Sequence, residues 1–126
     1  MDRKKLGNEG ELFVADYLQK NGFTIKATNY RQFFGEIDLI AYKKNLYLFV
    51  EVKTRKSDAL PMGNLIPASK QAKIIKTAQT FIAENRLTNA TFRFDVALLC
   101  GDGSTTFTIN YIENAFTQSQ GRYDYY

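Results

Sequence analysis

Two segments, Gly35–Tyr42 and Leu46–Thr54, flank Lys43-Lys44-Asn45, and this pair constrains the fold more than any other feature of the chain. Each is rich in β-branched and aromatic residues, and together they predict a β-hairpin. A two-residue loop at Lys44-Asn45 sets one register. Tyr42 then faces Tyr47, Ile40 faces Phe49, Asp38 faces Glu51 and Glu36 faces Lys53. A four-residue loop centred on the same point keeps that register, whereas a three-residue loop would send Asp38 and Glu51 to opposite faces. In the first register one face holds Ile37, Leu39, Ala41, Leu48, Val50 and Val52, with no polar side chain. Such a face must be covered by other elements.

The remaining elements supply that cover. Asn8 to Lys20 reads as a helix, with Asn8 as cap, Glu11 closing a capping box, and Asn21-Gly22 as the stop. Phe23 to Asn29 alternates Phe23, Ile25 and Ala27 with polar residues and predicts a strand. Ser57 to Asn64, holding Pro61 and Gly63, reads as a loop. Pro67 to Asn85 predicts a second helix with an Ile75, Ala78, Ile82 stripe and a row of Lys70, Lys73 and Lys76. Thr91–Leu99 and Thr105–Ile112 read as late strands joined by a Gly101-Asp102-Gly103-Ser104 turn, and residues 117–126 as a flexible tail. The order is helix, three strands, helix, two strands. It predicts one α/β domain over residues 1–126, with a mixed sheet of about five strands flanked by two main helices.

Composition narrows the chemistry. No histidine occurs in 126 residues, which removes Ser-His-Asp and Cys-His systems and every histidine-containing zinc site. Cys100 is the single cysteine, so there is no intrachain disulfide and no thiolate cage. A metal, if held, must be held by oxygen, which points to Mg²⁺ or Mn²⁺. The net charge of +4 and pI of about 9.2 suit a polyanionic partner, and equally a soluble protein with spare lysines. The charged start Met1-Asp2-Arg3-Lys4-Lys5 has no apolar run after it, and the longest apolar stretch is Leu46–Val50. The expectation is a cytoplasmic protein without a membrane anchor.

Asp38 and Glu51 are the unusual pair. Carboxylates facing one another on adjacent strands have Cβ atoms about 4.5–5.5 Å apart and repel. A shared proton, a basic neighbour or a divalent cation relieves them. The same residues also admit an ordinary reading, in which Glu36 and Lys53 form a cross-strand salt bridge on an exposed face.

The blocks Gly35-Glu36-Ile37-Asp38-Leu39-Ile40-Ala41, Phe49-Val50-Glu51-Val52-Lys53-Thr54-Arg55 and Arg93-Phe94-Asp95-Val96 resemble the YraN family of bacterial proteins. The likeness runs from Gly10-Glu11 through Val96 and includes Asn29, Arg31 and Lys70. Members of that family are similar to archaeal Holliday junction resolvases within the restriction-endonuclease-like fold. The resemblance implies a nuclease-type site. Asp38 matches the superfamily's aspartate, Glu51-Val52-Lys53 its Glu/Asp-x-Lys motif, and Glu11 its helical acid. Ile37 stands where the wider pattern has proline.

The implied roles follow residue by residue. Asp38 and Glu51 are expected to bind Mg²⁺ or Mn²⁺, with the Val52 carbonyl a further ligand. Glu11 either reaches the metal through water or only caps its helix. Lys53 is expected to orient the attacking water or stabilise the transition state, or else to form a salt bridge to Glu36 or Glu51. Arg31, Arg55, Lys70, Gln71 and Lys73 are candidates for phosphate contact, against a solvated helix face for the lysines. Tyr42, Tyr47 and Phe49 either stack on bases or pack beneath the site, and Asp95 reads as structural. The function expected is metal-dependent endonucleolytic cleavage of DNA, with branched or junction DNA as a candidate substrate and a homodimer as a candidate assembly. The alternatives are a non-catalytic nucleic-acid-binding module or an interaction subunit.

Overall fold

The computed structural model describes residues 3–55, 65–101 and 107–117. Helix α1 spans Arg3–Lys20, followed by β1 (Thr24–Gln32), β2 (Gly35–Lys43), β3 (Leu46–Arg55), α2 (Ala68–Glu84), β4 (Thr91–Cys100) and β5 (Thr108–Phe116). The strands form one sheet in the order β1-β2-β3-β4-β5. All neighbours are antiparallel except β3 and β4, which run parallel and are joined through α2. The sheet is mixed, five-stranded and flanked by two helices, as the sequence predicts.

Each helix covers one face. Val14 and Leu18 of α1 pack with Leu39, Ala41, Leu48 and Val50. Ile74, Ala78 and Phe81 of α2 pack with Ile40, Phe49, Phe94 and Val96. Alternation along β2 and β3 delivers the two sets to opposite sides. The β2–β3 register is the predicted one, from Lys43↔Leu46 through Tyr42↔Tyr47 to Leu39↔Val50. Lys44 makes the turn with φ +55°.

Two glycines set how close the helices come. A Cβ on Gly10 would meet Thr54 Oγ1 at 2.5 Å, and one on Gly35 would meet Thr77 Oγ1 at 2.7 Å. Gly10 thus brings α1 against β3, and Gly35 brings α2 against the start of β2.

Several expectations are corrected. Helix α1 begins at Arg3, so Asn8 lies inside it and cannot form a capping box with Glu11. The early start is anchored by Leu6, which is buried in the α1-side core. Strand β1 continues past Asn29 to Gln32, and its register with β2 is the same at Thr28↔Leu39 and Tyr30↔Ile37 although Asn29 adopts φ +49°. Asparagine tolerates that conformation better than most residues. Ile37 packs in the α2-side core, not with Leu39 and Ala41. On α2 the buried stripe is Ile74, Thr77, Ala78 and Phe81, with Ile75 and Ile82 at its margins. Strand β5 covers Thr108–Phe116 and so runs past the expected end at Ile112, while the expected start at Thr105 lies outside the described residues. The expected loop 57–64, turn residues 102–104 and tail residues 118–126 lie outside the described residues.

Candidate active site

The regular β2–β3 pairing extends as far as Leu39↔Val50. Next to it, the Val52 N–H donates to Asp38 Oδ2 at 2.8 Å, so a side chain takes the place of a backbone acceptor. This is the physical reason that alternation breaks at Asp38 and that Ile37 turns to the α2 side. It also brings the carboxyl of Asp38 within hydrogen-bonding reach of Glu51. The predicted meeting of Asp38 and Glu51 therefore occurs at a distorted end of the ladder. Glu36 does not reach Lys53. It pairs with Arg31 across β1–β2, with Arg31 Nη2 3.4 Å from Glu36 Oε2.

Burial pushes the pKa of Asp38 up, the negative charge of Glu51 adds to this, and the carboxyl reaches about 8. The Val52 N–H works in the opposite direction and does not outweigh them. Glu51 is buried, and its Oε2 lies 2.5 Å from Lys70 Nζ. Burial opposes the charge of Lys70, but the Glu51 hydrogen bond and the charges of Glu51, Asp38 and Glu36 raise its pKa. Lys53 is half-buried beside the same carboxylates. Its pKa is lowered, first by burial and then by the nearby charge of Lys70. Among the described residues Lys53 has no ion pair, so neither Glu36 nor Glu51 holds it in a salt bridge.

Glu11 approaches from α1. Asn29 Nδ2 donates to its Oε1 at 3.2 Å, which ties the helix to β1. Its pKa is raised by burial, against the Asn29 bond, with Glu36 and Glu51 adding to the rise. Glu11 thus lies in the field of the site. Among the described residues, however, no three acidic, histidine or cysteine side chains converge as a ready metal cage.

Asp38 and Glu51 fit a hard divalent cation by their donor chemistry. They offer carboxylate oxygens in a partly buried place where burial and the charge of Glu51 raise the Asp38 pKa. Val52, between Glu51 and Lys53, is tied to Asp38 through its N–H.

The cationic candidates separate. Steps of three residues on a helix drift by roughly 60° each, so Lys70, Lys73 and Lys76 do not form one row. Lys70 turns inward to Glu51, Lys73 is exposed, and Lys76 Nζ lies 4.6 Å from the ring centroid of Phe34. Arg55 is exposed at the end of β3. Gln71 Nε2 donates to the Ile66 carbonyl at 2.9 Å and so fastens the chain entering α2. Tyr47 and Phe49 pack against Phe81 and Phe92 beneath the site, and Tyr42 stacks on Tyr47 at 5.3 Å. Asp95 is fully buried and structural, as expected. Sequence reasoning missed the exposed Phe33-Phe34 turn, whose signal was two adjacent aromatics just before Gly35.

This architecture is that of the restriction-endonuclease-like α/β proteins. The structure of Hjc, a Holliday junction resolvase from the archaeal hyperthermophile Archaeoglobus fulgidus, superposes with a TM-score of 0.55. It is 23% identical over 85% of this chain and 71% of that one, a likeness of fold. The model of the uncharacterised protein family UPF0102 matches residues 10–99, and the chain belongs to that family, the one its YraN-like blocks indicate. A UPF0102 protein of Alkaliphilus metalliredigens is 44% identical over 115 residues, covering 90% of this chain and 98% of that one. A UPF0102 protein of Trichlorobacter lovleyi is 45% identical over 114 residues, covering 88% and 89%.

Proposed function

We propose that the protein is a divalent-metal-dependent DNA endonuclease of the cytoplasm, hydrolysing phosphodiester bonds with branched or junction DNA as its favoured substrate. The observation that carries this reading is the meeting of Asp38 and Glu51, with Lys53 beside them and without an ion pair among the described residues. A protein that only bound DNA would gain nothing from two adjoining carboxyl groups, one buried and one half-buried, that repel phosphate.

Asp38 and Glu51 would hold Mg²⁺ or Mn²⁺, joined by the Val52 carbonyl and, through water, by Glu11. Such a cation, when bound, polarises the scissile phosphate and lowers the pKa of a bound water. The Val52 N–H orients Asp38 by occupying one of its oxygens. Lys53 presents an ammonium that can donate to a phosphate oxygen as negative charge builds, or fix the attacking water. Arg31, Arg55, Lys70 and Lys73 supply phosphate contacts without sequence preference. Gln71 acts indirectly, by holding the start of α2. Two copies would place one site on each of two strands.

The test is incubation of the pure protein with linear, branched and single-stranded DNA in Mg²⁺, Mn²⁺ or EDTA. Cutting that requires the cation and favours branched DNA is expected. Binding of every substrate without cutting would favour the non-catalytic module.

A further inference from the structure

The β1–β2 hairpin closes with Phe33 and Phe34 between the paired residues Gln32 and Gly35. Phe33 is 98% exposed. A phenylalanine left in water forgoes the stabilisation its burial would bring. Two-residue hairpin turns favour glycine, asparagine and aspartate at positive φ, and neither Phe33 nor Phe34 has positive φ. Neither the core nor the turn geometry calls for an aromatic residue at this tip.

The tip is nonetheless held firmly. Phe34 meets Phe33 edge-on with ring centroids 5.0 Å apart, and Lys76 Nζ lies over Phe34. Gly35 is pressed against Thr77 and the Lys73 carbonyl of α2. Gln32 Nε2 donates to Tyr30 Oη at 3.1 Å, and Tyr30 Oη donates to Glu84 at 2.6 Å. The exposed ring is therefore presented on a braced support.

Its neighbours indicate what it meets. Lys73 and Lys76 are exposed on α2, and Arg31 lies on β1, paired with Glu36. Phe33 itself meets Phe34, and the tip carries cations on either side, Lys76 over Phe34 and Arg31 paired with Glu36. Cations for phosphates around a ring for a base are the chemistry of a nucleic-acid contact. The tip lies on the strand of Asp38. Phe33 lies five residues before Asp38, about 17 Å of extended chain, the reach of a few nucleotides.

We propose that Phe33 is a base-stacking residue, and that the substrate is DNA presenting an unpaired or unstacked base a few nucleotides from the bond to be cut. This rests on the nuclease reading for the cut, but not for the stacking. The test compares a fully paired duplex with the same duplex carrying an unpaired 2-aminopurine at a branch, in Ca²⁺. Affinity is read by anisotropy, stacking by 2-aminopurine quenching, and association by sedimentation. The wild-type protein is expected to prefer the unpaired substrate about tenfold, the scale of one base–aromatic stack, and to quench it. Phe33→Ala should lose the preference and the quenching with unchanged melting temperature and duplex affinity, and Phe33→Trp should retain both. Unchanged preference and quenching in Phe33→Ala would overturn the proposal. So would a change confined to sedimentation, which would make the tip a contact between copies. Stacking without cutting in Mn²⁺ would remove the nuclease reading alone, whereas cutting with no role for Phe33 would remove this proposal alone.

Discussion

Asp38 and Asp95 are strand aspartates on β2 and β4, and their surroundings differ in what fixes the charge of a carboxylate. Asp95 receives Arg93 Nε and Nη2 at 2.9 and 3.0 Å, Tyr111 Oη at 2.6 Å and the Asn114 N–H at 2.8 Å. Burial raises the Tyr111 pKa, and its bond to Asp95 adds to the rise, so the hydroxyl remains a donor. Asp38 has the Val52 N–H and, against it, a second carboxyl group. The first aspartate is satisfied by the chain itself and ties β4 to β5. The second has a neighbouring carboxyl that opposes its charge. A carboxylate whose donors are built in marks scaffold, and one set against a like charge marks a candidate functional site.

The largest effect expected falls on the scaffold side. Asp95→Ala leaves Arg93 and Tyr111 without their buried acceptor and should cost about 3–5 kcal/mol in urea denaturation. A loss below about 1 kcal/mol would erase the contrast between the two aspartates. Next comes Lys53→Ala, which should remain folded and bind DNA within a few-fold. It should lose about a hundredfold in single-turnover cleavage, the scale of one well-placed electrostatic group. A mutant cutting at the wild-type rate would remove Lys53 from the mechanism.

The site side also has a pH signature. The folded-state pKa of Asp38 is raised from 3.8 to about 8, so the folded state holds this proton more tightly than the unfolded chain. Its contribution to stability is present in full below 3.8 and is lost as pH rises through about 8. The metal-free protein should therefore lose stability over that window. Asp38→Asn keeps an acceptor for Val52 and removes the ionisation, so it should be more stable than wild type at the alkaline end by about 1–2 kcal/mol. A destabilised mutant there would mean that Asp38 is held ionised. The smallest effect belongs to the surface cations. Neutralising Lys70 and Lys73 together should reduce the slope of log affinity against log salt by roughly one to two units. An unchanged slope would show that α2 does not touch phosphate.

Much of this was legible in the residues. The Lys44-Asn45 turn fixes the hairpin register as far as Leu39↔Val50, which leaves Asp38 and Glu51 as near neighbours just beyond it. What escaped depends on contacts distant in sequence. The start of α1 is decided by burial of Leu6, and the end of β1 by its pairing with β2 as far as Gln32↔Gly35. Without the longer β1, the pairing of Arg31 with Glu36 could not be foreseen, and Glu36 was placed opposite Lys53. The turn of Ile37 toward α2 follows from one hydrogen bond, Val52 N–H to Asp38, that no alternation pattern contains. The inward turn of Lys70 depends on how α2 lies against β2, an approach that Gly35 permits.

The central claim is that Asp38 and Glu51 form a site for a divalent cation. The most direct measurement is a calorimetric titration of Mn²⁺ into the wild-type protein and into Asp38→Asn, with each shown to be folded by circular dichroism. The account predicts saturable binding by the wild-type protein and none by Asp38→Asn. Equal binding by the two, or no binding by the folded wild-type protein, would contradict it.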